Sequence, residues 1–174
     1  MKGKGILSSI IAMSLFALSG GDAADGINIE ENGTRNQLET YMLAYVIDQH
    51  VLPSKENKTK KVLVGIGDPV DGELKLPDVE VLKSLNEIFP DAEIETLRFL
   101  GDSKKKVEKK ADEVIVTVNI ITCSQSVVGK EITISAVVEV HCNYGPLNAF
   151  GEAYQVAYYD GFWAIERLKA LYVS

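Results

Sequence analysis

Histidine, cysteine, tryptophan and proline are all scarce in this chain: two, two, one and five among 174 residues. Each shortage closes off some chemistry. His50 and His141 fall on separate segments with no second histidine at ligand spacing, so a zinc or iron centre lacks donors. Cys123 and Cys142 stand far apart and outside any CxxC pattern, which leaves no redox pair. There is no Gly-x-Ser-x-Gly elbow for a serine nucleophile. Gly65-Ile66-Gly67 follows a strand-like run, but Pro69 and Val70 stand where a dinucleotide-binding turn would lead into a helix. Asp68, Asp71 and Glu73 lack the oxygen-ligand spacing of a calcium loop. Positive charge is in deficit too: the formal net charge is −7, which argues against nucleic acid and anionic membranes as partners. No metal or cofactor is called for.

What is present begins with an address. Lys2 and Lys4 precede an apolar run from Ile6 to Leu18, and small residues follow at Ser19, Gly20, Gly21, Ala23 and Ala24. This is the layout of a secretory signal peptide, too short to span a bilayer, with cleavage expected after Ala23. Leu18-Ser19-Gly20 resembles the start of a bacterial lipoprotein box, but Gly21 stands in place of the lipidated cysteine and has no thiol to acylate. As written, the chain has no stable membrane anchor and is expected in the periplasm or outside the cell. Whether Gly21 is native or replaces a cysteine stays open. Residues 1–23 are thus read as signal peptide, 24–33 as polar linker and 34–174 as a single domain of sufficient length for a full core.

Within the domain, Thr34-Arg35-Asn36-Gln37 has the form of a capping box. It predicts a helix from about Arg35 to His50, buried over more than one stripe and ended by Leu52-Pro53. Lys61 to Gly67 reads as a buried strand. Pro77-Asp78 opens a second helix, with Val81, Leu82, Leu85, Ile88 and Phe89 at helical spacing and Pro90 closing it. Ala92 to Leu100 is expected to form a strand.

Glu113 to Cys123 and Ile132 to Cys142 alternate cleanly, with Val114, Val116, Val118 and Ile120 on one face and Ile134, Ala136, Val138 and Val140 on the matching face. They predict a hairpin about Gly129. By parity Cys142 faces the core and Cys123 the other side, so a disulfide would need a bulge or a strand break. Two separate, mostly buried thiols are the preferred reading.

Asp160-Gly161 suits a type I′ turn. It sets Tyr159 opposite Phe162, Tyr158 opposite Trp163 and Val156 opposite Ile165, and gathers Tyr154, Val156, Tyr158, Trp163 and Ile165 into a cluster expected to anchor the sheet. The order of elements predicts an α+β class, with helices packed on a curved, mainly antiparallel sheet that ends in a four-strand meander.

Among candidate functional residues, His141, Glu139, Thr117 and Asn119 share the odd-numbered face of adjacent strands. One reading is a His–Glu pair for proton transfer in a half-polar cleft. The other, given more weight, is a solvated sheet face or a homodimer contact using Ile115, Ile121 and Val137. Lys104 to Lys110 is a basic run, read as a solvated loop or as a docking patch for an acidic surface or sugar acid. His50, near a helix C-terminus, is read as a favourable cap rather than a base.

Leu147, Gly151, Tyr154-x-Val156 and Gly161-x-Trp163-x-Ile165 are similar to the final hairpin of many exported bacterial proteins of the NTF2-like (cystatin-like) superfamily. The resemblance implies a cone-shaped domain whose sheet wraps a long helix, and no particular activity. Enzymes of that superfamily place an Asp or His with a Tyr inside the cone, for which Tyr45 and Asp48 are the candidates here. The function expected is an exported, non-catalytic binding or interaction domain. Its partner would be a small apolar ligand between helix and sheet, another protein, or a second copy of the chain. The alternative is a small-molecule acid–base enzyme, of isomerase or dehydratase type, using the same pocket.

Overall fold

In chain order the elements are α1 (Glu31–Val46), which runs on into a π-helical turn (Ile47–Val51), β1 (Lys61–Ile66), α2 (Val79–Ile88), β2 (Ile94–Thr96), β3 (Glu113–Val128), β4 (Glu131–Gly145), β5 (Asn148–Tyr159) and β6 (Phe162–Val173). The structure is a computed structural model and describes residues 31–53, 61–70, 72–100, 107–128, 131–145 and 148–173. The expected signal peptide, most of the expected linker and Lys104 to Lys106 lie outside the described residues. Within them, no helix is long and apolar enough to cross a membrane.

The strands form one sheet in the order β2-β1-β3-β4-β5-β6. β1 runs parallel to both β2 and β3, and β3 to β6 run antiparallel in succession. The α+β expectation is corrected here. Among the described residues strands take 54% and helices 24%, so this part of the protein is a predominantly β, six-stranded mixed sheet with two helices. The physical reason is strand length. β3 to β6 are 12 to 16 residues long, against a usual ~5–6, while the strand expected over Ala92 to Leu100 shrinks to three residues.

The closing hairpin has Asp160 at φ 50° and Gly161 at φ 80°, the pair of left-handed residues a type I′ turn requires. Tyr159 faces Phe162, Tyr158 faces Trp163 and Val156 faces Ile165. Trp163 stacks on Tyr41 of α1 with ring centres 4.7 Å apart and leans on Tyr158 at 5.0 Å. Leu38, Met42, Leu43, Val46 and Ile47 of the helical segment share one core with Val114, Val116, Val138, Val140, Tyr154 and Val156. Each such large apolar side chain contributes about 1.5–3 kcal/mol by leaving water. Even Glu39 and Thr40 are buried, so α1 is enclosed on more than one stripe.

Thr34 lies inside α1 rather than capping it. Its hydroxyl donates to Gln125 Oε1 at 2.8 Å, tying the helix to the far end of β3. α2 has the expected start, with Asp78 accepting from the Glu80 N–H at 3.0 Å.

The β3–β4 hairpin pairs Val116 with Cys142, Val118 with Val140 and Ile120 with Val138, then slips at Ile121 so that Cys123 faces Ala136. The bulge closes Val128 on Glu131 rather than symmetrically about Gly129. It also turns Cys123 onto the face that carries Cys142, not the opposite one. The run of β4 from Ala136 to Cys142 still separates them by about 20 Å, so both thiols are free. Cys123 is exposed, correcting the expectation of burial. Burial pushes the Cys142 thiol up to about 12.

A second, smaller cluster lies on the sheet face turned away from the helices. There Leu63, Leu74 and Leu97 gather Phe99, Val107 and Ile115. The segments that follow β1 and β2 fold over that face, and they create the site described next.

Candidate functional site

One row of register partners crosses five strands: Gly65 of β1, Thr117 of β3, His141 of β4, Gly151 of β5 and Tyr172 of β6. Period-two alternation puts the odd-numbered Gly65, Thr117, His141 and Gly151 on one face, and pairing with Gly151 puts Tyr172 there too. Two register shifts in the β5–β6 pair bring Tyr172 opposite Gly151. Because Gly151 has no side chain, the phenol reaches across β5 to His141, with 3.2 Å between Tyr172 Oη and His141 Nδ1 and ring centres 5.7 Å apart. A Cβ on Gly151 would stand 2.6 Å from Tyr172 Cε1 and 3.0 Å from His141 Nδ1, so no other residue keeps this contact unstrained.

Thr117 and His141 are buried. Thr117 Oγ1 and His141 Nε2 are the two buried side-chain polar atoms without a hydrogen-bond partner among the described residues. Directly opposed residues of an antiparallel pair keep their Cβ atoms within ~4.5–5.5 Å, so Thr117 and His141 are side-by-side residues of the sheet. Both residues line a cleft of about 390 Å³ together with Pro69, Val70, Leu74 and Val107, inside the ~300–1,000 Å³ typical of small-molecule sites. Lys109, Ile115, Asn143 and Tyr172 complete its wall. Burial holds the His141 imidazole below its ordinary value, with the Asp68 carboxylate pulling the other way. Burial also raises Tyr172. Both groups are therefore neutral at pH 7.

The helix-bearing face carries a contrasting group. Glu152 sits on β5 opposite Val140, among apolar neighbours, and accepts a short hydrogen bond from the Tyr154 hydroxyl. Its other oxygen meets Arg167 Nη2 at 2.6 Å. His50, in the π-helical turn, brings Nε2 to 3.5 Å from Tyr154 Oη and 4.0 Å from Glu152 Oε2. The Tyr144 hydroxyl donates to the His50 carbonyl at 2.9 Å, and Phe150 packs on the His50 ring at 4.8 Å. Burial lowers His50, partly offset by Glu152. Burial and the Glu152 bond hold Tyr154 well above the usual phenol range. Because Tyr154, Arg167 and His50 already converge on the carboxylate, this cluster is a clasp joining β5 and β6 to the end of α1.

The structure thus brings together Thr117 and His141 of the expected quartet. Asn119 and Glu139 pair with each other further along the strands and stand half-buried outside the cleft. The solvated-face reading fails at Thr117 and His141. Tyr45 and Asp48 part company. Tyr45 meets Tyr154 edge-on at 5.7 Å, whereas Asp48 accepts from Gln49 and lines a shallow groove with Leu52, Ile88 and Phe89. His50 belongs to the clasp rather than serving as a simple cap. Of the basic run, Lys109 enters the cleft wall and Val107 bridges to Phe99. Sequence reasoning missed Tyr172, Gly151, Glu152 and Arg167 as site or clasp residues. The one legible signal was Gly151 inside a strand pattern, which marks a close approach. Among the described residues no group of histidine, cysteine or carboxylate side chains is arranged to hold a metal ion. No family model, curated protein or solved structure matches the chain.

Proposed function

We propose that the protein is an exported, non-catalytic binding domain whose ligand site is the cleft over the Thr117–His141–Gly151–Tyr172 row. Export rests on the leader-like residues 1–23. The site rests on one observation: two facing buried residues, each with a side-chain polar atom that has no partner among the described residues, in the wall of a cleft of ligand size. A buried hydroxyl or imidazole nitrogen without a hydrogen bond costs about 1–3 kcal/mol. A fold that keeps two of them on facing residues of a cleft with an apolar wall is suited to a ligand with one polar end. Titrating a small-fragment set into isotope-labelled protein tests this. Bound fragments are expected to shift the resonances of Ile115, Thr117, His141 and Tyr172. Shifts confined to the helix-bearing face would sink the proposal.

A further inference from the structure

We infer that β6 is a self-pairing edge, through which two copies of the chain associate antiparallel over Phe162 to Leu168 about a two-fold axis at Ile165. The inference does not depend on the cleft. Among the described residues β6 ends the sheet beyond β5, and Glu166, Arg167, Leu168, Lys169 and Ala170 are all exposed. A tight two-residue turn closes on a pair that exchanges hydrogen bonds, here Tyr159 and Phe162. Alternation along the strand then turns the N–H and C=O of Trp163, Ile165 and Arg167 away from β5. An exposed edge of this kind is a template for another strand. The first register shift against β5 comes between Arg167 and Lys169, so the regular run ends there.

An antiparallel register centred on Ile165 fits that run to itself. It pairs Phe162 with Leu168, Trp163 with Arg167, Ala164 with Glu166, and Ile165 with its own copy across the axis. The outward backbone groups then meet one another, since Trp163, Ile165 and Arg167 fall in the hydrogen-bonded pairs. Phe162 and Leu168, 69% and 50% exposed in the single chain, cover each other on the face turned away from the helices. The charges are complementary as well. No like charges are opposed within the run, and beyond it Lys169 comes level with the Asp160-Gly161 turn, where Asp160 supplies an acid. Neither Asp160 nor Lys169 takes part in an ion pair among the described residues. Such a pairing is isologous: it uses both β6 edges and closes as a dimer.

Sedimentation velocity and amide hydrogen exchange of the purified protein over a dilution series test this. A dimer that dissociates on dilution is expected, with the Trp163, Ile165 and Arg167 amides protected only in the dimer. A monomer at every concentration, or a dimer whose β6 amides exchange freely, overturns the inference. Ala164→Glu opposes like charges at two symmetric places, and should weaken association about tenfold. Adding Glu166→Lys should restore it. Both positions are exposed, and unchanged circular dichroism checks that the fold survives. Undiminished association of Ala164→Glu, or no restoration, overturns the register at Ile165. So does weakening by Glu166→Lys alone that Lys169→Glu repairs, which would move the axis between Arg167 and Leu168. None of these residues lines the cleft, so each of these failures leaves the cleft reading standing.

Discussion

The two faces of the sheet each bury a polar cluster, and they treat it in opposite ways. On the helix-bearing face, Glu152 has Tyr154, Arg167 and His50 around it, and nothing remains for a ligand to satisfy. On the far face, His141 is oriented through Nδ1 by Tyr172 but keeps Nε2 without a partner among the described residues, as does Oγ1 of the facing Thr117. The contrast separates a polar group that holds a fold together from one that the fold holds ready. Saturation contributes stability, whereas an orphaned donor costs stability that a ligand would restore.

The comparison is broken most forcefully at the clasp. Glu152→Ala leaves the Tyr154 hydroxyl buried without its acceptor, and is expected to cost about 2–4 kcal/mol in urea unfolding. Cleft binding by the surviving folded protein should be unchanged. Gly151→Ala attacks the other side by forcing Tyr172 away from His141. A loss of about 1–3 kcal/mol is expected, together with loss of the ring contact seen as a shift of the His141 resonances.

Acid sharpens the comparison, because burial lowers both His50 and His141. The unfolded chain takes up protons first, so stability falls as the pH drops below about 6.5 and levels off once the folded histidines also titrate. The slope is at most about 1.4 kcal/mol per pH unit for each histidine. His50→Gln and His141→Gln should each remove one share, read from urea midpoints between neutral and mildly acidic buffer. Smallest in size and opposite in sign is Thr117→Val, which replaces an orphaned hydroxyl by an apolar isostere. It should stabilise the free protein by about 0.5–1 kcal/mol while weakening ligand binding. A loss of stability would show that the hydroxyl is satisfied after all.

Much of the frame was legible. The Asp160-Gly161 turn, the aromatic pairs around Trp163 and the Asp78 cap are local, set by backbone preference within a few residues. The neighbourhood of Thr117 and His141 followed from strand parity, because side chains alternate whatever lies above them. Their burial did not follow, since it depends on the segments carrying Leu74 and Val107, distant in sequence, folding over that face. Thr34 misled for a related reason: its spacing to Gln37 suits a capping box, yet α1 already runs through it and Gln125 offers a partner. Glu152 carried no signal, because a single glutamate on an apolar strand face is distinguished only by what reaches it.

By itself, then, the sequence determined the register of the closing hairpin, the start of α2 and the alternation of the long strands, all governed by short-range sterics and periodicity. Only the tertiary structure decided which polar groups are saturated and which are left waiting. That outcome turns on the Ile121 bulge, the register shifts that set Tyr172 opposite Gly151 and the loops that close over His141. Each of these is a balance of packing between segments far apart in the chain, and no local pattern encodes it.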